Sequence, residues 1–360
     1  MSRISTIDQL FAHRPVSRRG LVRCGLAGAG VLGASALAGC SDGTSSSTAS
    51  SGGSAATGAS ELKKITFALD WTPNTNHTGV YVAAARGYYE EAGLEVEIVQ
   101  APENGADALV ATGEAQFGVS FQDTMASYVS SEDSRLPVSA IAAIIQHNTS
   151  GIISRAEKGI THPAAMMDHT YATWEGPIEQ GVIKHCVEAD GGDFSRVQMI
   201  PSTVTDEVTA LQTDQVDTIW IYWAWAGVKC QLAGLDTNYF AFADIDSVFD
   251  FYTPVIIAND DLIADDPDTV QAFLDATRRG YEDCIADPDA AADVLLEASP
   301  ELDEELVRAS QEYLADQYQA DADAWGVIDQ GRWDAFFGWV GDQGFAPEIE
   351  PGAGLDLQFI

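Results

Sequence analysis

From residue 61 onward, short runs with apolar residues at alternate positions take turns with stretches in which apolar residues recur every three to four positions. The first pattern predicts β-strands and the second amphipathic helices. KITFALD (64–70), LEVEIVQ (94–100), QFGVSF (116–121) and PVSAIAAIIQ (137–146) read as strands. HTGVYVAAARGYYEEAG (77–93), GADALVATGEA (105–115) and QDTMASYVSSE (122–132) read as the helices between them. That is a βαβαβαβ lobe with a largely parallel sheet, which needs helices on both faces. A second lobe follows, with strands TYATW (170–174), VQMIPS (197–202) and VDTIWIYW (216–223). Its helices are PIEQGVIKHCVEADGG (177–192), with Pro177 in the first turn, and DEVTALQTDQ (206–215). TPVIIAND (253–260) then reads as a strand returning to the first lobe, ahead of four helical stretches between 266 and 343.

The fold class expected is α/β, with two lobes and a ligand cleft between them. Residues 61–150 and 253–345 form lobe 1, residues 151–252 form lobe 2, and residues 346–360 form a C-terminal tail. In open parallel sheets ligands settle beyond the carboxyl ends of the strands. The loops to examine are therefore DWTPNTNH (70–77), FQDT (121–124), TWEGPIE (173–179) and YWAWAG (222–227). All four are rich in aromatic and uncharged polar side chains.

Composition narrows what such a cleft receives. The chain has 360 residues, 46% hydrophobic and 9% aromatic, enough for a sizeable core. A net charge of −37 argues against nucleic acid and against an anionic membrane surface. The first 40 residues stand apart: five of the 18 Lys and Arg precede the small, apolar run CGLAGAGVLGASALAGC. That run is too short to span a membrane and reads as the apolar region of an export signal. Arg18 and Arg19 resemble a twin-arginine signal, with an ordinary basic leader as the alternative. LAGC resembles a lipobox, which makes Cys40 the lipidated N-terminus of the mature protein. Without the leader, 13 basic and 54 acidic residues remain, a charge of −41. The Ser/Gly/Thr/Ala tract 41–60 lacks large apolar side chains and reads as a flexible tether. Cys186, Cys230 and Cys284 are widely spaced, which favours buried small residues over a disulfide or a metal site.

The loops and helices together carry a resemblance. LDWTPNTNHTGVYVAAARGYYEEAGLEVEI, ATGEAQFGVSFQDTM, TWEGPIE, IYWAWAGV and NDDLIADDPDTVQAFLDATRRGYEDCIADPDAAADVL occur in that order. They resemble the substrate-binding proteins of ABC transporters for thiamine-pyrimidine precursors, over essentially residues 61–345. Fungal pyrimidine synthases share that fold. The resemblance implies a type II periplasmic-binding-protein fold and a monomer that presents one small ligand to a membrane permease and its ATPase. It implies no cofactor and no metal. The fungal enzymes carry a cysteine-rich run before the strand matching TPVIIAND, and a His and a Lys in the segment matching SFQDTMA. Here the corresponding stretches, SVFDFYTPVII and residues 120–126, contain none of these. A Schiff base needs an amine, and iron needs soft or imidazole ligands.

Candidate ligand contacts follow loop by loop. Trp71 is placed to stack on a flat ring and Asp70 to accept from a ring amine. Asn74, Thr75, Asn76 and His77 open a helix, where capping accounts for one or two of the four, leaving Asn74 or His77 first in line for a ligand. Tyr81 falls one turn beyond His77 on the same face. Gln122 and Asp123 resemble the family's polar pair facing the cleft, with helix capping the alternative for Asp123. Glu175 and Glu179 flank Pro177, where either serves the helix dipole or accepts from a ring N–H. Tyr222, Trp223 and Trp225 cluster at a strand end, although Trp223 lies on the opposite strand face from Tyr222 and Trp220. Ala226 replaces an acidic residue common in relatives. With no Lys or Arg in these loops, the expected ligand is unphosphorylated. Riboflavin or a sulfonate are alternative cargoes, the sulfonate disfavoured by the missing arginine.

Overall fold

The computed structural model describes residues 61–100, 105–130 and 135–360, which belong to one compact unit of the chain. The expected leader, Cys40 and the tether lie outside the described residues. The chain begins with β1 (Lys63–Ala68), α1 (Thr78–Ala85), α2 (Tyr88–Glu91), β2 (Leu94–Val99), α3 (Ala106–Thr112), β3 (Phe117–Ser120), α4 (Gln122–Val129) and β4 (Val138–Ala143). It then crosses over and forms β5 (Ser150–Arg155), β6 (Thr170–Thr173), α5 (Pro177–Ala189), β7 (Gln198–Pro201), α6 (Glu207–Gln212), β8 (Thr218–Tyr222), α7 (Val228–Leu232), β9 (Thr237–Ala241) and α8 (Phe242–Ile245). It returns through β10 (Val255–Asn259) and ends in α9 (Asp260–Asp265), α10 (Pro267–Ala286), α11 (Pro288–Ala298), α12 (Glu304–Ala315) and α13 (Gln330–Asp342).

Two five-stranded sheets result, ordered β2-β1-β3-β10-β4 and β7-β6-β8-β5-β9. In each, the strand delivered by a crossing, β10 or β5, inserts antiparallel between neighbours that are otherwise parallel. Strands covered on both faces read as continuous apolar runs: every residue of β3, β4 and β10 is buried. The edge strand β2 alternates instead.

Two strands, β5 and β9, were not expected from the apolar pattern, because SGIISR and TNYFA hold few apolar residues. Gly151 shows what secures β5: a Cβ there would meet Phe240 O at 2.2 Å, so the strands approach as closely as backbone allows. The expected helix 77–93 divides in two, since Gly87 takes a left-handed conformation at φ 73°. α1 then packs against α10, where a Cβ on Gly79 would lie 2.4 Å from the Tyr281 ring.

The crossings meet under α13. Arg332 donates to Gln146 O and Oε1, both at 2.7 Å, and to Asp250 Oδ2 at 2.8 Å. Its guanidinium lies 3.9 Å above the Tyr252 ring. Trp333, Phe336, Phe337 and Trp339 are buried along the same helix, against Phe249 and Phe251 of the returning crossing. One part of the aromatic content forecast as core thus lies where the two lobes join, and another, with Phe67, Tyr89, Phe117 and Tyr281, packs inside the first lobe around Phe273 and Trp325. Cys186, Cys230 and Cys284 are free and buried, and burial pushes the Cys186 thiol up to about 12. No helix among the described residues is long and apolar enough to cross a membrane.

Candidate functional site

A chamber of about 350 Å³ opens beyond the carboxyl ends of β1, β3 and β8. Asp70, Trp71, Asn74, Asn76, Phe121, Tyr222 and Trp225 line it. A larger depression of about 500 Å³ is built from α13 and residues 348–351, and touches no strand end. The chamber therefore has the topological position that ligands favour in open α/β sheets. Five residues singled out from the sequence meet there: Asp70, Trp71, Asn74, Tyr222 and Trp225.

The wall from lobe 1 is the loop after β1. Pro73 breaks the strand, and Asn74 caps the turn that follows, its Oδ1 accepting from Asn76 N at 2.9 Å. Its Nδ2 donates to Thr72 O at 3.0 Å. His77 is fully buried, and its Nδ1 accepts from Asn74 N at 3.2 Å. Nε2 therefore carries the hydrogen and donates to Asp70 Oδ1 at 2.6 Å. More distant elements pin the loop from behind. Thr75 Oγ1 meets Ser310 Oγ of α12 at 2.6 Å, Tyr318 donates to Thr75 O, and Tyr281 of α10 donates to Asn76 O. The side chains of Asn74, Thr75 and His77 thus have a structural explanation, since they bond within the loop or to the helices behind, while Asn76 is held by its backbone and lines the chamber. What they leave exposed is Trp71, 58% accessible, beside an Asp70 carboxylate held in place by His77.

The opposite wall comes from the end of β8. The Tyr222 ring stacks against Phe121 of the first lobe with centroids 6.3 Å apart. Burial raises the Tyr222 hydroxyl well above its ordinary value, with the charges of Asp123 and Asp70 adding to the effect. Residues 223–227 form one π-helical turn, a form that often marks functional sites. That turn directs Trp225 toward Ala292, Leu295 and Val307 of α11 and α12. No lysine or arginine is among the described residues lining the chamber.

Six sequence candidates lie elsewhere or act indirectly. His77 is not a lining residue; both its ring nitrogens are engaged, one of them on Asp70, whose carboxylate it orients. Gln122 is completely buried, donating to Trp333 O at 2.8 Å and accepting from Tyr252 N at 2.9 Å. It faces α13 and the returning crossing, because a helix start sends successive side chains in different directions. Tyr81 packs among α1, α11 and α12, its hydroxyl beside Ser299. Trp223 turns to the far face of the second sheet, its ring 4.7 Å from Tyr239. Glu179 is buried, its carboxylate accepting from Tyr171 Oη (2.6 Å), Thr173 Oγ1 (2.9 Å), Trp174 N (3.1 Å) and Gly176 N (3.2 Å). With four donors satisfied it organises its own loop. Glu175 points to solvent from a left-handed backbone (φ 64°) and does not line the chamber.

Phe121 and Asn76 are lining residues missing from the expected set. The signal for Phe121 was present: strand alternation places 117, 119 and 121 on one face, and 121 is the last of them.

Two α/β lobes joined by crossings, with strand ends facing one chamber, define a type II periplasmic-binding-protein fold. The alkanesulfonate-binding protein SsuA from Xanthomonas axonopodis pv. citri, solved with MOPS bound, shares this fold with a TM-score of 0.61. At 10% identity over 82% of this chain and 99% of that one, the likeness concerns the fold alone. The chain belongs to the NMT1/THI5-like family, whose model matches residues 74–291, more than half of its length. Among curated relatives, the formylaminopyrimidine-binding protein of Halalkalibacterium halodurans is 28% identical over 287 residues, covering 78% of this chain and 85% of that protein. The riboflavin-binding protein RibY of Chloroflexus aurantiacus is 26% identical over 242 residues, covering 67% and 68%.

Proposed function

We propose that this protein is the extracytoplasmic solute-binding component of an ABC importer and captures an unphosphorylated thiamine-pyrimidine precursor. The observation that carries the reading is the chamber itself: aromatic faces from Trp71, Phe121, Tyr222 and Trp225 around a fixed carboxylate, with no lining cation. A flat ring entering it loses water-exposed apolar area against those faces, and Asp70 accepts from a ring amine. The relative named for formylaminopyrimidine supports the same cargo. Riboflavin is the second reading, supported by the RibY relative and by the same aromatic walls.

The rest of the reading follows from position in the chain. Cys40, once lipidated, would tether a monomeric body to the outer face of the membrane through residues 41–60, next to the permease and ATPase. Closure of lobe 1 (61–150 with 253–345) on lobe 2 (151–252) would bury the ligand, with the crossings under Arg332 as the hinge. A binding role is preferred to pyrimidine synthesis because, among the described residues, neither a lysine amine nor a free imidazole lines the chamber; both nitrogens of His77 are engaged. Calorimetry decides the cargo. Hydroxymethylpyrimidine or its formylamino relative should bind and stabilise the fold by roughly 2.7 kcal/mol at a hundred times Kd. Tighter binding of the phosphorylated pyrimidine, or of riboflavin, would remove the proposed cargo.

A further inference from the structure

Two asparagines line the chamber, two positions apart, and their side chains are used in opposite ways. Asn74 commits its carboxamide to the loop, with Oδ1 accepting from Asn76 N at 2.9 Å and Nδ2 donating to Thr72 O at 3.0 Å. Asn76 commits only its backbone. Its N–H goes to Asn74, and its C=O accepts at 2.6 Å from the hydroxyl of Tyr281, a completely buried residue of α10. Among the described residues the Asn76 carboxamide has no hydrogen-bond partner, and the turn it sits in is already capped by Asn74. The residue is half-buried on a backbone held from both sides, so its free amide is positioned before any ligand arrives.

The other groups around the chamber leave a need that this amide meets. Asp70 accepts only, and Tyr222 and Trp225 each carry a single polar hydrogen. Thr253 Oγ1 lies 3.4 Å from the Tyr222 hydroxyl. The aromatic walls cover the faces of a flat ring but pair with nothing in its plane. A heteroaromatic ring carries its nitrogens and exocyclic groups in that plane, where burial without a partner is costly. A carboxamide offers an acceptor and a donor side by side, the complement of an amino group next to a ring nitrogen. Asparagine pairs in this bidentate way with the amino–nitrogen edge of adenine.

We propose that Asn76 is a specificity-determining ligand contact, its Oδ1 accepting from an exocyclic amine and its Nδ2 donating to the adjacent ring nitrogen. An amine has two hydrogens, so Asp70 and Asn76 take one each, and the ring nitrogen is left to Asn76. This rests on the pyrimidine reading and sharpens it: the chamber selects a ring that carries both groups on one edge.

The test uses the full chain and two probes, 4-amino-5-hydroxymethyl-2-methylpyrimidine and the same ring with hydrogen in place of the amino group. Calorimetry is run on wild type, Asn76→Ala and Asn76→Asp. Both variants should keep the unliganded unfolding transition within about 2 °C of wild type, since the side chain bonds to nothing in the protein. Asn76→Ala removes two bonds from the amino probe and one from the other. It should weaken the first about 10- to 100-fold and the second about three- to tenfold, narrowing the preference. Asn76→Asp sets an acceptor against the ring nitrogen present in both probes, and should weaken both about tenfold or more. A purely structural role predicts the opposite, because aspartate has the same shape and suits a helix start equally well. Equal fold losses on the two probes in Asn76→Ala, or wild-type affinity in Asn76→Asp, overturns the contact and leaves the pyrimidine reading standing. Should the alanine variant unfold early, the aspartate variant decides alone. Wild type that binds neither probe overturns both.

Discussion

The loops after β1 and β6 are built from similar parts. Each has a tryptophan, a proline and an acid close to the carboxyl end of a parallel strand, and the tryptophans are almost equally exposed, Trp71 at 58% and Trp174 at 54%. Their acids are used differently. Asp70 precedes its proline and is held through one oxygen by His77, beside the chamber. Glu179 follows its proline at the third position of α5, where its carboxylate turns back on the N–H groups of Trp174 and Gly176 and on two hydroxyls. One loop presents a carboxylate; the other consumes one. Residue type therefore predicts a site poorly unless the number of donors around each acid is known.

The largest effect should come from Glu179→Ala. Losing four accepted hydrogen bonds strands the buried Tyr171 and Thr173 hydroxyls, and chemical denaturation should show a loss of about 3 kcal/mol or more. Affinity per folded molecule should change little; a large affinity loss at unchanged stability would make the two loops equivalent after all. His77→Ala comes next. It leaves a cavity and removes the donors and acceptors that fix Asp70 and Asn74, so stability should fall by about 2 kcal/mol and ligand affinity about tenfold. Unchanged affinity would show that Asp70 does not need its partner.

Trp71→Ala separates binding from folding in the first loop. Because the side chain is exposed, stability should move by less than about 0.5 kcal/mol. Ligand affinity measured by calorimetry should drop about tenfold through lost stacking. Trp174→Ala is the smallest expected change, within about 0.5 kcal/mol of wild-type stability and twofold of its affinity. A loss matching that of Trp71→Ala would mean that Trp174 closes over the ligand from the second lobe.

Strands buried on both faces and helix starts marked by Asp and Pro were legible because each depends on near neighbours in the chain. β5 and β9 were not, since their burial comes from partners up to some 90 positions away in the sequence. The same division runs through the site. Sequence alone identified the strand ends, the aromatic richness of four loops and the absence of cations among them, because the period of a strand decides which residues end it and face outward. Only tertiary structure decided which polar groups remained free. Gln122 and Glu179 found all their partners within the protein, His77 was taken by Asp70 and Asn74, and Asp123 Oδ1 found none. A hydrogen bond needs its partner within about 3 Å and in line, and that condition is met or missed only once distant segments have packed together.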